Sequence, residues 1–455
     1  MNESMTRQER KAVTALASII STRMLGLFLI LPVFAIYAHS LSNVTRLEVG
    51  IAIGIYGLTQ AIFQIPMGML SDRWGRKPVI VIGLLIFASG SVVAALSDSI
   101  MGIIIGRALQ GVGAIASAVL AMTADLTSEE HRTKAMATIG ISIGMSFMFA
   151  LMLGPILHHW IGMQGIFWFI AVLALLAIAI LYFIVPTPKH TSFHRDAEPV
   201  PTQFKKVLMD TQLLRLDVGI LILHFLLAAL FVELPILLIQ TGLIATHHWQ
   251  VYFPVLLVAM ILMVPFIIYA EKYRHLKLIF ASAVIGLLLA QLGFMYFYQN
   301  LLGIVCLLVL FFTAFNILEA SLPSLVSKFA SPESKGTAMG VYTTSQFLGT
   351  FLGGLTGGWL HSHYPIEFVF GVYAVVALVW FLFAVTMKKP PYLINHLLYV
   401  GNVNEQEATQ LTERLKQLPG VAEVVIIIED GIAYLKVDKK RVDFATLNQF
   451  SVVHE

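Results

Sequence analysis

Five ionisable residues, Arg23, Arg107, His224, Glu233 and Glu319, sit inside stretches that are otherwise apolar. A charge in such a place needs a partner or a watered cavity, and residues of this kind mark ion and proton pathways. Desolvation favours the neutral form of a carboxyl group, and imidazole ordinarily titrates near neutrality. The chemistry on offer is proton exchange, with Glu319 the first candidate and Glu233 the second. Asn316 lies three residues before Glu319. The static alternative makes the glutamates braces for arginine, His224 a hydrogen-bonding residue between helices, and Arg23 a structural pair.

A second concentration of polar groups is the run Gly68-Met69-Leu70-Ser71-Asp72-Arg73-Trp74-Gly75-Arg76-Lys77, set between hydrophobic segments. Gly68 and Gly75 permit close backbone approach and a tight turn. Arg76 is placed to pair with Asp125. Asp72 suits a helix N-terminus, and Ser331-Pro332 offers one, a serine cap followed by proline at the first helical position. Loop bases alone explain Arg73 and Lys77, but not an acid framed by glycines.

The elements that must position these groups are membrane spans. Charged residues are 12% of the chain and hydrophobic ones 58%, where a soluble domain carries about 25% charged residues. Mean hydropathy is +0.83. Twelve apolar runs are each long enough to cross a bilayer core, which takes about 20 helical residues. They fall near 12–38, 46–70, 78–96, 99–124, 134–157, 164–185, 212–241, 250–270, 276–297, 300–327, 336–360 and 365–387. The first is too long for the core of a signal peptide and has no small-residue cleavage pattern, so it is read as the first span. Cys306, the only cysteine, excludes a disulfide within the chain and reads as a packing residue.

Basic residues gather in alternate loops: Arg7, Arg10 and Lys11, then Arg73, Arg76, Lys77, Arg132 and Lys134, and onward to Lys388 and Lys389. The other loops offer Arg46 alone. By the positive-inside rule both ends are cytoplasmic, which an even number of spans satisfies. The net charge of +3 therefore reflects topology and not a nucleic-acid footprint. The chain also repeats itself. Ser128 to Met136 has a counterpart in Ser331 to Met339, and Ile65 to Lys77 in Val264 to Leu276, with Glu271 standing for Asp72. The first six spans thus map onto the second six, as in secondary transporters that hold substrate near the midplane between two bundles.

Gly68-x-x-x-Asp72-Arg73-x-Gly75-Arg76-Lys77 resembles the motif between helices 2 and 3 of the major facilitator superfamily. Arg107-x-x-Gln110-Gly111-x-Gly113 is similar to the helix-4 motif of its proton-coupled members. Gly144 with Gly154-Pro155 resembles the helix-5 motif of twelve-helix drug:proton antiporters, although Ala150, His158 and His159 depart from its glycines. The resemblance covers residues 1–390. It implies two six-helix bundles, 1–185 and 212–390, joined by a cytoplasmic linker, 186–211. It implies that Asp72 meets the start of the eleventh helix, bracing the two halves while the transporter faces outward. It also implies a cavity lined by helices 1, 4, 7 and 10, the four that carry the five buried ionisable residues. Gln60, Gln64, Tyr342, Ser345 and Gln346 are polar residues on the spans placed either to touch substrate or to bond between helices.

Residues 391–455 change character. Leu397 to Val400 reads as a strand and Glu405 to Leu418 as a helix with Ala408, Leu411, Leu415 and Leu418 on one face. Val424 to Ile428 and Ile432 to Val437 read as a hairpin about Glu429-Asp430-Gly431, and Asp443 as the cap of a short helix reaching Phe450. This order resembles a small α+β ferredoxin-like fold, in particular the heavy-metal-associated domain, with room after Phe450 for only a stub of a fourth strand. The loop Gly401 to Asn404 holds no Cys-x-x-Cys, so no metal or other cofactor is expected. Regulation, small-ligand sensing, self-association or a stabilising appendage stay open for this domain.

The resulting expectation is an all-α polytopic protein of a bacterial inner membrane with a cytoplasmic ferredoxin-like domain. Its partners would be a small-molecule substrate, protons and lipid, not nucleic acid. The favoured function is proton-coupled export of small amphipathic compounds by alternating access. The alternatives are a proton-coupled importer and a transporter-like sensor signalling through the last domain. No phosphate loop Gly-x-x-x-x-Gly-Lys-Ser/Thr occurs, which argues against a primary pump, and no catalytic constellation argues for an enzyme.

Overall fold

A computed structural model describes residues 5–38, 41, 44–187, 201–331, 334–390, 393–401, 403–428, 431–438 and 441–452. Residues 188–200 of the linker expected at 186–211 and the hairpin residues Glu429 and Asp430 lie outside that set, and the rest of the linker includes a short helix, Phe204–Met209. Among the described residues, ten helices are long and apolar enough to cross a membrane. One of them, Lys134–Phe183, is two spans merged across Gly162, whose φ of 67° and ψ of −177° are not helical. The 29-residue helix Lys335–His363 completes the set as the eleventh span, its apolarity diluted by glycine, serine and threonine. Where a loop was expected near 158–163, the chain turns on that single glycine.

Two spans expected to be continuous are broken. The first consists of Arg7–Phe28 and Phe34–Ala38, interrupted by Pro32, which has no N–H to donate. The fourth consists of Ile100–Val112 and Ala116–Asp125, interrupted from Gly113 to Ile115. Helix starts are fixed locally. Thr6 with Glu9 and Thr45 with Glu48 form reciprocal capping boxes at the first and second spans, which satisfy otherwise orphaned N–H groups. Asn300 caps the tenth span, its side chain accepting from Gly303 N at 3.0 Å. Cys306 is exposed on that span, not packed inside as expected.

The end of the spans that carries Gly68 to Lys77 is called here the motif side, and the other end the far side. Where the two halves meet, glycine sets the spacing. A Cβ built on Gly354 of the eleventh span would lie 2.5 Å from Gly50 O of the second span. One on Gly358 would lie 2.4 Å from Arg46 O. Such backbone-to-backbone crossings are what small residues permit between membrane helices. Beside this crossing Phe28 and Phe147 of the first half meet Phe231 and Phe312 of the second. Phe147 lies edge-on to Phe28 at 5.0 Å, to Phe231 at 6.3 Å, and tilted to Phe312 at 6.1 Å between centroids. Glycines and aromatics both lie toward the far side, so the halves are sealed there.

The C-terminal domain has an antiparallel sheet ordered β1-β3-β2, with β1 Ile394–Tyr399, β2 Val421–Ile427 and β3 Ile432–Val437. The helix Glu405–Lys416 covers it through Ala408 and Leu415, and Asp443 caps Phe444–Asn448, which stops short of Phe450. Val452 N donates to Tyr399 O at 2.8 Å at the edge of β1, but among the described residues no fourth strand forms there. The domain docks on the second bundle. Lys436 Nζ donates to Lys328 O at 3.1 Å and to Ala330 O, at the C-terminal end of the tenth span, where a cation is favoured. Arg274 pairs with Asp438 at 3.1 Å. In the repeat Arg274 occupies the place of Gly75, and both are left-handed, at φ 58° and 90°. A non-glycine residue there costs about 1–2 kcal/mol, and the side chain it presents anchors the last domain.

Candidate functional site

The motif run folds as one tight joint. The second span ends at Trp74, Gly75 makes the turn, and the third span starts at Arg76. Arg76 is 3% exposed and gathers Asp72, Ser71 Oγ at 3.0 Å and, through Nε, Asp125 Oδ2 at 3.1 Å. Asp125 is wholly buried, whereas the Asp72 side chain is 26% exposed. Lys77 donates to Val185 O at 2.6 Å and so closes the end of the sixth span, while Arg73 faces out. Gly68 lies against Ser117 of the fourth span.

The helix of the eleventh span starts at Lys335, one residue before the expected 336. Its cap is Ser334, whose hydroxyl meets that of Ser331 at 2.8 Å, and Pro332 lies outside the described residues. The ion pair that Asp72 makes here is within its own half, to Arg76. In the second half the joint is rebuilt with inverted charge: Glu271 stands for Asp72, Lys328 for Asp125, and they pair at 2.9 Å.

The helix-4 residues brace the first bundle. Arg107 Nε and Nη2 donate to Ala52 O and Ile53 O of the second span at 3.2 and 3.3 Å, and Nη1 to Gln110 Oε1 at 2.9 Å. Gln110 passes the chain to Ser91 Oγ at 2.8 Å. Arg23 donates to Gln60 Oε1, Gln60 to Gln64, and Gln64 to Ser117 Oγ at 2.8 Å. Both guanidinium groups lie over the Tyr56 ring, at 5.5 and 5.2 Å, a cation–π arrangement. Gly111 packs on the second span at Tyr56 O, and Gly154 on the break of the first span at Leu29 O, with Pro155 next inside the helix. Gly144 has nothing within 4 Å of a built Cβ.

The second bundle holds the acids. Glu319 of the tenth span lies within the apolar length with 38% of its side chain exposed, while its Oε2 is buried and has no hydrogen-bond partner among the described residues. Gln346 of the eleventh span donates to Glu319 Oε1 at 3.2 Å and lies 2.9 Å from His224 Nε2 of the seventh. His224 Nε2 and Glu319 Oε2 are 3.9 Å apart. An amide nitrogen only donates, so His224 Nε2 accepts and the proton of the neutral ring is on Nδ1. Asn316 Nδ2 and Tyr342 Oη, close by in sequence, have no hydrogen-bond partner among the described residues. Buried Asp217, about two turns before His224 on the same face of the seventh span, is a further acid that the sequence reading passed over. Glu233 is not in this cluster. It is fully buried toward the far side and contacts His361, another residue that reading missed. Nothing local marks His361, since its partner is 128 positions away in the chain.

The arrangement is one half braced by buried arginines and the other carrying acids inside its apolar spans, with the halves packed together toward the far side. The model of the Major Facilitator Superfamily matches residues 16–354 and 284–398, and that of the YajR YAM domain matches 402–451. The chain is 48% identical over 446 residues, 97% of each chain, to the Inner membrane transport protein YajR of Escherichia coli (strain K12). It is 25% identical over 400 residues, 84% of this chain and 97% of the other, to Multidrug resistance protein 1 of Bacillus subtilis (strain 168). A solved bacterial homologue of the human lysosomal transporter Spinster, inward-facing and occupied, shares the fold with a TM-score of 0.70 at 14% identity, covering 84% of this chain and 97% of that one. With these matches over its spans and its tail, the chain belongs to the major facilitator superfamily, as a multi-pass membrane transporter that ends in a YAM domain.

Proposed function

We propose that this protein exports small amphipathic compounds in exchange for protons, by alternating access between its two bundles. The observation that carries the reading is Glu319, a partly exposed acidic side chain within the apolar length of the tenth span, tied to the seventh and eleventh spans through His224 and Gln346. Protonation changes which hydrogen bonds that carboxyl can make, and those bonds join the helices that must shift. A carboxylate accepts from Gln346, whereas a carboxylic acid can also donate. The basic loops put the motif side in the cytoplasm, so the glycine and aromatic seal is periplasmic and the state seen is closed to the periplasm. The location in an inner membrane follows the relative from Escherichia coli, and export follows the helix-5 resemblance and the printed name of the Bacillus relative.

In this scheme the joint about Arg76 is the cytoplasmic gate. Here Asp72 is held by Arg76; on closure toward the cytoplasm it would turn to the start of the eleventh span at Ser334. The test uses everted membrane vesicles holding an acid-inside pH gradient, a compound panel and a pH-sensitive dye. Compounds that are substrates should dequench the dye, and Glu319→Gln should abolish the response at unchanged expression. Full dequenching with Glu319→Gln would remove that residue from coupling, and silence of the folded wild type across the panel would favour import or sensing.

A further inference from the structure

The far-side ends of the seventh and eleventh spans hold a second acid–base pair. Glu233 is 0% exposed; its Oε2 contacts His361 Nδ1, and its Oε1 has no hydrogen-bond partner among the described residues. A buried carboxylate with one oxygen unsatisfied and no full positive charge beside it is costly. With one more proton the pair is neutral overall, either as carboxylic acid with imidazole or as carboxylate with imidazolium. His361, with 13% of its side chain exposed, lines a cavity of about 550 Å³ together with Arg46, Thr45, Ser362 and Tyr364. The imidazole therefore stands between a sealed carboxyl group and water. It stands one helical turn beyond Gly358, whose backbone is pressed on that of Arg46. The pair is thus buried by the same contact that closes the far side.

We propose that Glu233 and His361 form a proton-binding site, filled from the periplasm, whose protonation holds the periplasmic seal closed. The transfer is simple to balance. Hydronium in the cavity gives its proton to the ring, the Nδ1 proton is shared with the Glu233 carboxylate, water is left behind, and the charge of the pair rises from −1 to 0. When the two halves part, water reaches both groups and the charged form is no longer penalised. The closed state thus binds this proton more tightly, so linkage makes closure strongest at low periplasmic pH and weaker as pH rises, by at most about tenfold per pH unit for one proton. Other titratable groups on the elements packed at this level are Arg46 and Glu48 of the second span, Tyr37 of the first, Tyr373 of the twelfth, His363 of the eleventh, and His247, His248 and Tyr252 at the start of the eighth. Glu48 is engaged in the Thr45 capping box, and of the rest Arg46 shares the cavity with His361.

The inference rests on the proton-coupled reading and its assignment of sides, but its readout is conformational and needs no substrate. Full-length protein in lipid nanodiscs, with Cys306→Ser, would carry spin labels at Leu96→Cys and Gln299→Cys. These are exposed positions at the far-side ends of the two halves. Distance distributions from pH 5 to 9 should show the short population shrinking as pH rises. Glu233→Gln, uncharged throughout, should keep the short population at every pH, and His361→Gln should lose the pH response. Glu319→Gln should retain it. A pH response of wild-type size in Glu233→Gln and His361→Gln, its loss in Glu319→Gln alone, or none in the parent would each overturn the proposal.

Discussion

Replacing Gly354 by alanine puts a methyl carbon 2.5 Å from Gly50 O, 3.0 Å from Gly54 N and 3.1 Å from Gly54 Cα. All three neighbours are backbone atoms of the second span, so no side chain can rotate away. The spans must separate locally by several tenths of an ångström, and overpacking of this kind costs about 1–3 kcal/mol. The strain exists only where the two halves touch. It is relieved when the far side opens, so it acts on the conformational equilibrium and not on folding. That is a shift of roughly 5- to 150-fold toward the open form. Helix propensity moves the other way for folding, since alanine inside a helix is favoured over glycine by about 0.5–1 kcal/mol. The thermal unfolding midpoint in detergent should therefore hold or rise slightly. The assay is the spin-label distance between Leu96→Cys and Gln299→Cys at fixed pH, with Gly144→Ala as the reference, because a Cβ at Gly144 meets nothing within 4 Å. An unshifted distribution in folded Gly354→Ala, or an equal shift in Gly144→Ala, would refute the reasoning.

Within the motif joint, Asp125→Ala removes the buried one of the two carboxylates that hold Arg76; with Asp72 still paired, it should cost less than the about 3–5 kcal/mol of a fully stranded buried charge, read as a lower unfolding midpoint. Asp72→Ala, at a partly exposed site, should leave that midpoint nearly unchanged while turnover in vesicles falls; equal thermal losses in both would contradict separate bracing and gating roles. Lys436→Met removes charge-assisted bonds worth about 1.5–3 kcal/mol that dock the YAM domain on the tenth span, so protease should cut near 387–393 much faster in the variant. Burial holds the Lys436 ammonium below the usual lysine range, with Glu423 opposing.

The local features of the fold were legible because lipid and backbone leave little choice. A span must be apolar and about 20 residues long, and Gly75 in a one-residue joint must be left-handed. The strand and helix order of the YAM domain follows from alternation and from caps such as Asn404 with Glu407. Arg76 with Asp125 was also readable, since the repeat places both at one end of the bundle. The breaks in the first and fourth spans were harder, because hydropathy runs straight through Pro32 and Gly113.

What the sequence determined by itself was the solvent of each segment: which runs enter lipid, which side carries the bases, which end folds in water. Those are sums over neighbours along the chain, and each residue contributes whatever its distant contacts are. Tertiary structure alone decided which acids share water and which are sealed. Glu319 and Glu233 are both glutamates in apolar runs, yet one is partly exposed beside Gln346 and His224 and the other is closed in with His361. It also decided which side is shut, because Gly50, Gly354, Phe147 and Phe312 come together only when the two bundles close toward the far side. Proximity between residues more than a hundred positions apart is set by how helices pack, and no local pattern in the chain encodes it.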